Sequence, residues 1–187
     1  QDEESARCAR QVAALAIRAE ALVEATLALE LAHEAMPQDE ASRADLARLW
    51  LARGLVDRAL PLLAESFALS TAALPARLDL AYALAADGRA DEALALLAPA
   101  REACDHDAPC ALTAARIALE AGRLDDAART LRVRLADAPD DLDALFALAD
   151  VHLRRQEPEQ ARAAYEQILR TRPNSVRARE ALQALAR

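Results

Sequence analysis

Apolar and polar positions along the chain follow a long period laid over a short one. Alanine recurs at 25, 59, 93, 127 and 161, each 34 residues after the last. Four residues after each alanine stands a large apolar residue: Leu29, Leu63, Leu97, Leu131 and Tyr165. A spacing of four puts both residues on one face of an α-helix. Five residues before the three middle alanines are Gly54, Gly88 and Gly122, the only glycines in the chain. Pro37, Pro139 and Pro173 keep the same phase further on. The pattern predicts antiparallel helix pairs. Glycine supplies the positive φ of the tight turn inside a pair, and proline stops the second helix.

The phase divides the chain into repeats 40–73, 74–107, 108–141 and 142–175. Residues 1–39 form a divergent N-terminal repeat or capping helices, with the repeat frame at 6–39, and 176–187 form a C-terminal capping helix. These segments are expected to make one continuous domain, because a single helix pair cannot bury its apolar face alone and neighbours must stack. Within 6–39 Glu20 holds the turn position, so the segment is either a helix pair or one long helix. In the last full repeat Gln156 replaces the glycine, and a turn without positive φ is expected there. Gln183 falls where the next repeat would pack. Its polarity fits a solvating cap or a truncated array.

Composition sharpens the picture. The chain is 54% hydrophobic, yet 51 of its residues are alanine and only 3% are aromatic. Such a chain favours helix and points to an all-α fold of thin, closely packed helices. The net charge is -8, and arginine supplies every fixed side-chain positive charge. Both signs are interspersed, so no cationic face exists for nucleic acid or for an anionic membrane surface. No uncharged apolar run reaches the roughly 18 residues that insertion into a bilayer needs. The wealth of alanine and arginine suggests a GC-rich, bacterial coding sequence. The polar, acidic opening "QDEESARC" resembles the start of a chain after signal removal, so a periplasmic location is expected, with the cytoplasm as the alternative.

The repeat at 142–175 carries Leu145, Leu148, Ala149, Ala161, Tyr165 and Pro173 at its positions 4, 7, 8, 20, 24 and 32. This set, kept in phase over four repeats, resembles the tetratricopeptide repeat, a helix–turn–helix of about 34 residues. Departures occur: position 4 is Arg43, Arg77 and Ala111, and position 32 is Thr71 and Asp105. The resemblance implies a right-handed superhelical solenoid of antiparallel helix pairs that needs no cofactor and binds a protein or peptide in a concave groove. The groove positions it implies hold Asp45, Arg48, Leu51, Leu78, Asp79 and Tyr82. Further along they hold Leu112, Thr113, Arg116, Glu120, Phe146, Asp150, Leu153 and Arg154. Arginine and aromatic residues are frequent anchors at interfaces, whereas merely solvated helix faces would pair their charges along each helix. Chaperone-binding members clamp a terminal carboxylate, but here the clamp positions hold Ala44, Arg48, Asp79, Pro109 and Thr113, and the chain has no lysine.

Other chemistry is sparse. His33 and His152 sit on helices, His152 at the inter-helix position 11, with no carboxylate placed beside it by spacing. Trp50 holds the same position in its repeat and is expected in the core. The acidic pairs at 125–126 and 140–141 fall at helix starts, where they cap. In "CDHDAPC", the spacing of Cys104, His106 and Cys110 is irregular for zinc. Cys104 closes one repeat and Cys110 opens the next, so a disulfide across that turn competes with two unbridged thiols, depending on compartment. Cys8 is left over. Together these features favour a non-catalytic scaffold of a bacterial envelope assembly, such as polysaccharide export, pilus assembly or cytochrome maturation. The rivals are a structural spacer in a longer secreted chain, a cytosolic adaptor, and a thiol or metal enzyme centred on Cys104, His106 and Cys110.

Overall fold

The computed structural model describes residues 2–71 and 73–186. Gln1, Ala72 and Arg187 lie outside the described residues, and with them the first residue of the acidic opening and the last of the predicted cap. Among the described residues every regular element is helical, and the architecture is all-α. The chain divides into two compact units, one ending at Arg89 and the other beginning at Ala90.

The first unit holds α1 (Asp2–Arg18), α2 (Leu22–Ala35), α3 (Glu40–Ala52), α4 (Val56–Leu69) and α5 (Leu74–Ala86). Each helix packs on the next, and α3 also meets α5. The second unit holds α6 (Ala90–Leu97), α7 (Arg101–His106), α8 (Ala108–Glu120), α9 (Leu124–Asp137), α10 (Leu142–Arg154), α11 (Pro158–Thr171) and α12 (Val176–Leu185). Here α8 packs on α9, α9 on α10, α10 on α11 and α11 on α12, while α8 also meets α10.

The periodic alanines lie in the core. Ala25, Ala59, Ala93, Ala127 and Ala161 are all fully buried. So are Ala47, Ala81 and Ala149 on the first helices, with Ala115 almost so. A methyl group at these points lets two helix axes approach. The large residue four positions on, Leu29, Leu63, Leu97, Leu131 or Tyr165, is then buried in the space alongside. Each leucine so buried contributes about 1.5–3 kcal/mol.

Gly54, Gly88 and Gly122 have φ of 73°, 79° and 72°. A Cβ at any of them would meet nothing within 4 Å, so the backbone dihedral, not space, selects glycine. The expectation for Gln156 is corrected: its φ is +60°. Glu20 has φ +58° and breaks the N-terminal segment into α1 and α2, so it is not one long helix. The reason is turn closure. The N–H of Glu157 donates to the carbonyl of His152 at 2.9 Å, as Leu55 does to Trp50 at 2.8 Å and Arg123 to Ala118 at 2.7 Å. Two helices that must fold back at this spacing impose the left-handed residue, whatever its side chain.

The departures from a bulky position 4 have a shared explanation. The Arg43 guanidinium donates to the carbonyl of Pro37 at 2.7 Å, Arg77 to that of Thr71 at 2.8 Å, and Arg179 to that of Pro173. Each reaches back across the turn between one helix pair and the next, to a carbonyl left unmatched near the end of a second helix. Arg43 is 2% exposed and also faces Glu65 at 3.6 Å. Arg77 lies over Phe67 at 5.1 Å from the ring centroid. At the turn before Ala111, position 4 is not arginine, and Cys104 and Cys110 are joined by a disulfide with Cα atoms 5.0 Å apart.

One break was not visible in the periodicity. α6 ends at Leu97, a 3-10 turn covers Ala98–Ala100, and α7 resumes at Arg101. Pro99 lacks the N–H that would continue the helix. The corresponding helices α4, α9 and α11 each run for 14 residues.

Two outcomes are expected in chemical denaturation. Gln156→Gly should stabilise the chain by about 1 kcal/mol by relieving left-handed strain. Gly88→Ala should destabilise it by a similar amount. A loss of stability on Gln156→Gly would show that the side chain, not the dihedral, matters there.

Candidate partner-binding face

The first helices of the pairs carry the predicted groove residues. In the first unit, the structure brings three of them together. Arg48 donates from Nε and Nη2 to Asp79 Oδ2 at 3.0 and 2.7 Å, and from Nη1 to Asp45 at 3.1 Å. The bond to Asp79 holds the guanidinium proton more firmly than usual, against the opposing pull of burial. This network joins α3 to α5, so Arg48 is a strut as well as a surface group. Tyr82 is 37% exposed on α5.

In the second unit, α8, α10 and the start of α12 enclose an open cleft of about 330 Å³. Its apolar floor is Leu112, Leu119 and Phe146, and its charged lining includes Arg116, Asp143, Asp150 and Arg177. A neighbouring cleft of about 380 Å³ shares Arg116, Leu119 and Asp150 and adds Glu120, Leu153 and Arg154. The Arg177 guanidinium lies 4.1 Å from the Phe146 ring centroid and 3.9 Å from Asp150. Phe146 in turn meets Tyr165, with centroids 6.2 Å apart. Burial pushes the Tyr165 phenol up, with Asp150 adding to the shift and Arg177 opposing it. Arg154 Nη1 donates to the carbonyl of Leu119 at 3.0 Å and ties α10 to α8.

A family model for the tetratricopeptide repeat matches residues 112–176. TTC0263, a thermophilic TPR protein of Thermus thermophilus, superposes with a TM-score of 0.73 at 25% identity, over 100% of this chain and 99% of its own. Over residues 112–176 the chain matches the tetratricopeptide repeat, and the likeness of fold to a TPR protein runs over its whole length. PilW, a widely conserved type IV pilus biogenesis factor, gives a TM-score of 0.80 at 16% identity, over 97% of this chain and 89% of its own. YrrB, a TPR protein with an unusual peptide-binding site, gives 0.67 at 16%, over 91% of this chain and 88% of its own. At these identities the likeness to PilW and YrrB is one of fold. No curated protein sequence matches the chain.

The tetratricopeptide frame also accounts for lining residues that sequence reasoning passed over. Asp143 and Arg177 occupy position 2 of their repeats and Leu119 occupies position 12, so the 34-residue spacing alone assigns them to this face. Asp143 sits in the first helical turn, where an acidic residue reads as a cap.

His152 is 6% exposed, and its Nδ1 lies 2.6 Å from Glu157 Oε2. The expectation of no neighbouring carboxylate is thus corrected: the turn at Gln156 folds Glu157 back over the helix end. Trp50 is buried, donates from Nε1 to Glu30 at 3.2 Å, and is covered by the Arg58 guanidinium at 4.2 Å. Asp141 caps α10, accepting from the N–H of Ala144 at 3.1 Å, and Asp125 and Asp126 lie in the first turn of α9. Cys8 is unbridged and exposed. The sulfurs of Cys104 and Cys110 are bonded to each other, and His106 Nδ1 is paired with Asp137.

Two further outcomes are expected. Replacing both Cys104 and Cys110 by alanine should cost roughly 2 kcal/mol, the chain-entropy value for so short a loop, measured by denaturant titration under non-reducing conditions. Asp137 raises the His106 pKa, by hydrogen bonding first and by its charge second. The interaction is therefore present at low pH and is lost as pH rises through the raised folded value. An NMR titration should place His106 above its ordinary 6.5, and Asp137→Asn should lower it.

Proposed function

We propose that this protein is a non-catalytic scaffold of a bacterial cell-envelope assembly, and that it holds a protein or peptide partner against the α8–α10–α12 face. Tetratricopeptide repeats in general serve as protein-interaction scaffolds, which supports the coarse reading. The observation that carries it here is the pair of adjoining clefts, with an apolar floor of Leu112, Leu119 and Phe146 and a charged rim of both signs. That combination suits an extended peptide: burial supplies affinity, and Arg116, Arg177, Asp143 and Asp150 select by charge.

The envelope assignment rests on different support. The Cys104–Cys110 bridge belongs to oxidising compartments such as the periplasm. The likeness to PilW adds an analogy of fold. A spacer role is the rival reading, and it would leave the clefts empty in the cell.

Site-specific photocrosslinking in the native host separates them. A photoreactive residue at Thr113, in the cleft, should give a discrete adduct that one at exposed Arg132 on α9 does not. The adduct should fall at least tenfold in Phe146→Ala and Arg116→Ala chains of unchanged melting temperature. Equal adducts from both positions, or adducts unaffected by either substitution, would favour the spacer. Resistance of Cys104 and Cys110 to alkylation in intact cells tests the compartment separately.

A further inference from the structure

The break at Pro99 does more than bend a helix. Between α6, α7, α8 and α9 it leaves a cavity of about 150 Å³, apart from the clefts of the α8–α10–α12 face. One wall is apolar, made by Leu94, Leu97, Ala98, Ala114 and Ala118. A cavity of about this volume accepts a group the size of benzene.

The other wall is charged. It holds Arg101, Arg123 and Arg129 with Asp91, Asp105 and Asp126. Equal numbers of each sign do not make it neutral toward a ligand, because the three carboxylates are shared between Arg123 and Arg129 and leave Arg101 over. Asp105 accepts from Arg129 Nη1 at 2.7 Å. Asp126 faces Arg123 Nη2 at 2.6 Å. Asp91 projects into solvent, 88% exposed, with Arg123 at 3.9 Å. Donors are left over. Arg129 Nη2 is spent on the Thr130 hydroxyl at 3.1 Å, but its Nε is buried and has no hydrogen-bond partner. Arg101 has no ion-pair partner among the described residues. An unmatched buried donor costs free energy unless an acceptor fills its place.

We propose that this cavity is a binding site for a compact amphipathic carboxylate, with a body of about six carbons against the alanine and leucine wall. Its carboxylate pairs with Arg101, which adds a charge-assisted bond. The disulfide sets the geometry, since Cys104 lines the cavity and is tied to Cys110 at the start of α8. Small side chains are essential to the space: a leucine at Ala98 or Ala114 would fill it.

The test is titration of the full oxidised chain with hexanoate, followed by calorimetry and amide NMR shifts. Hexan-1-ol carries the same body without charge, and acetate carries the charge without the body. Hexanoate is expected to bind at about 1 mM, the range that eight well-placed atoms reach. Shifts should cluster on α6 to α9, and both control ligands should bind at least tenfold more weakly. Arg101→Gln should weaken hexanoate about tenfold at unchanged melting temperature. Ala114→Leu should abolish binding. If that variant fails to fold, Ala95→Leu, at a more exposed point of the lining, takes its place. Hexanoate that fails to bind at tens of millimolar, hexan-1-ol that binds equally well, or an Arg101→Gln chain that binds like the parent would each overturn the proposal.

Discussion

Everything in this structure depends on how closely two helices can lie. The fully buried alanines at 25, 59, 93, 127 and 161, and those at 47, 81 and 149 on the first helices, present only a single methyl group each. Any larger side chain at these positions would push the axes apart and misplace the leucine or tyrosine four residues on. Close approach also fixes the turn. Helices this near can be joined by only a few residues, and the short path forces a left-handed residue at Gly54, Gly88, Gly122, Glu20 and Gln156 alike.

That ordering of constraints explains which features were legible in the sequence. Residues chosen for their backbone, such as glycine and the helix-stopping prolines, announce themselves because few substitutes exist. Alanine at a fixed interval does the same, since it marks a contact that tolerates nothing else. Gln156 misled because a non-glycine residue can be driven into the left-handed region at a cost of about 1–2 kcal/mol, small beside the packing of two helices. Glu157 escaped notice because its contact with His152 runs across that same turn. The break at Pro99 was hidden for a different reason: Ala93 and Leu97 keep the helical period to two residues before it, and the helix resumes in α7.

The face formed by α8, α10 and α12 was legible in outline and not in detail. Position counting places Arg116, Phe146 and Asp150 on it, but counting does not reveal who pairs with whom. Arg48 shows the difference. By position it is a groove residue, yet three hydrogen bonds commit it to Asp79 and Asp45, and a partner would have to compete for it. Arg177, by contrast, lies on Phe146 and presents a flat cation beside an apolar floor. A sequence distinguishes these two arginines only once the neighbouring repeat is in place.

The turns between helix pairs carry one more consequence. Arg43, Arg77 and Arg179 each reach back six residues to a carbonyl, and the disulfide also spans a separation of six. The same loop is therefore closed four times, three times by a guanidinium and once by a covalent bond. A guanidinium clamp is held by hydrogen bonds alone and can open without any covalent change, whereas the sulfur bridge holds until it is chemically reduced. Three of the loops are thus closed by bonds that solvent can replace, and the fourth is released only by an electron donor.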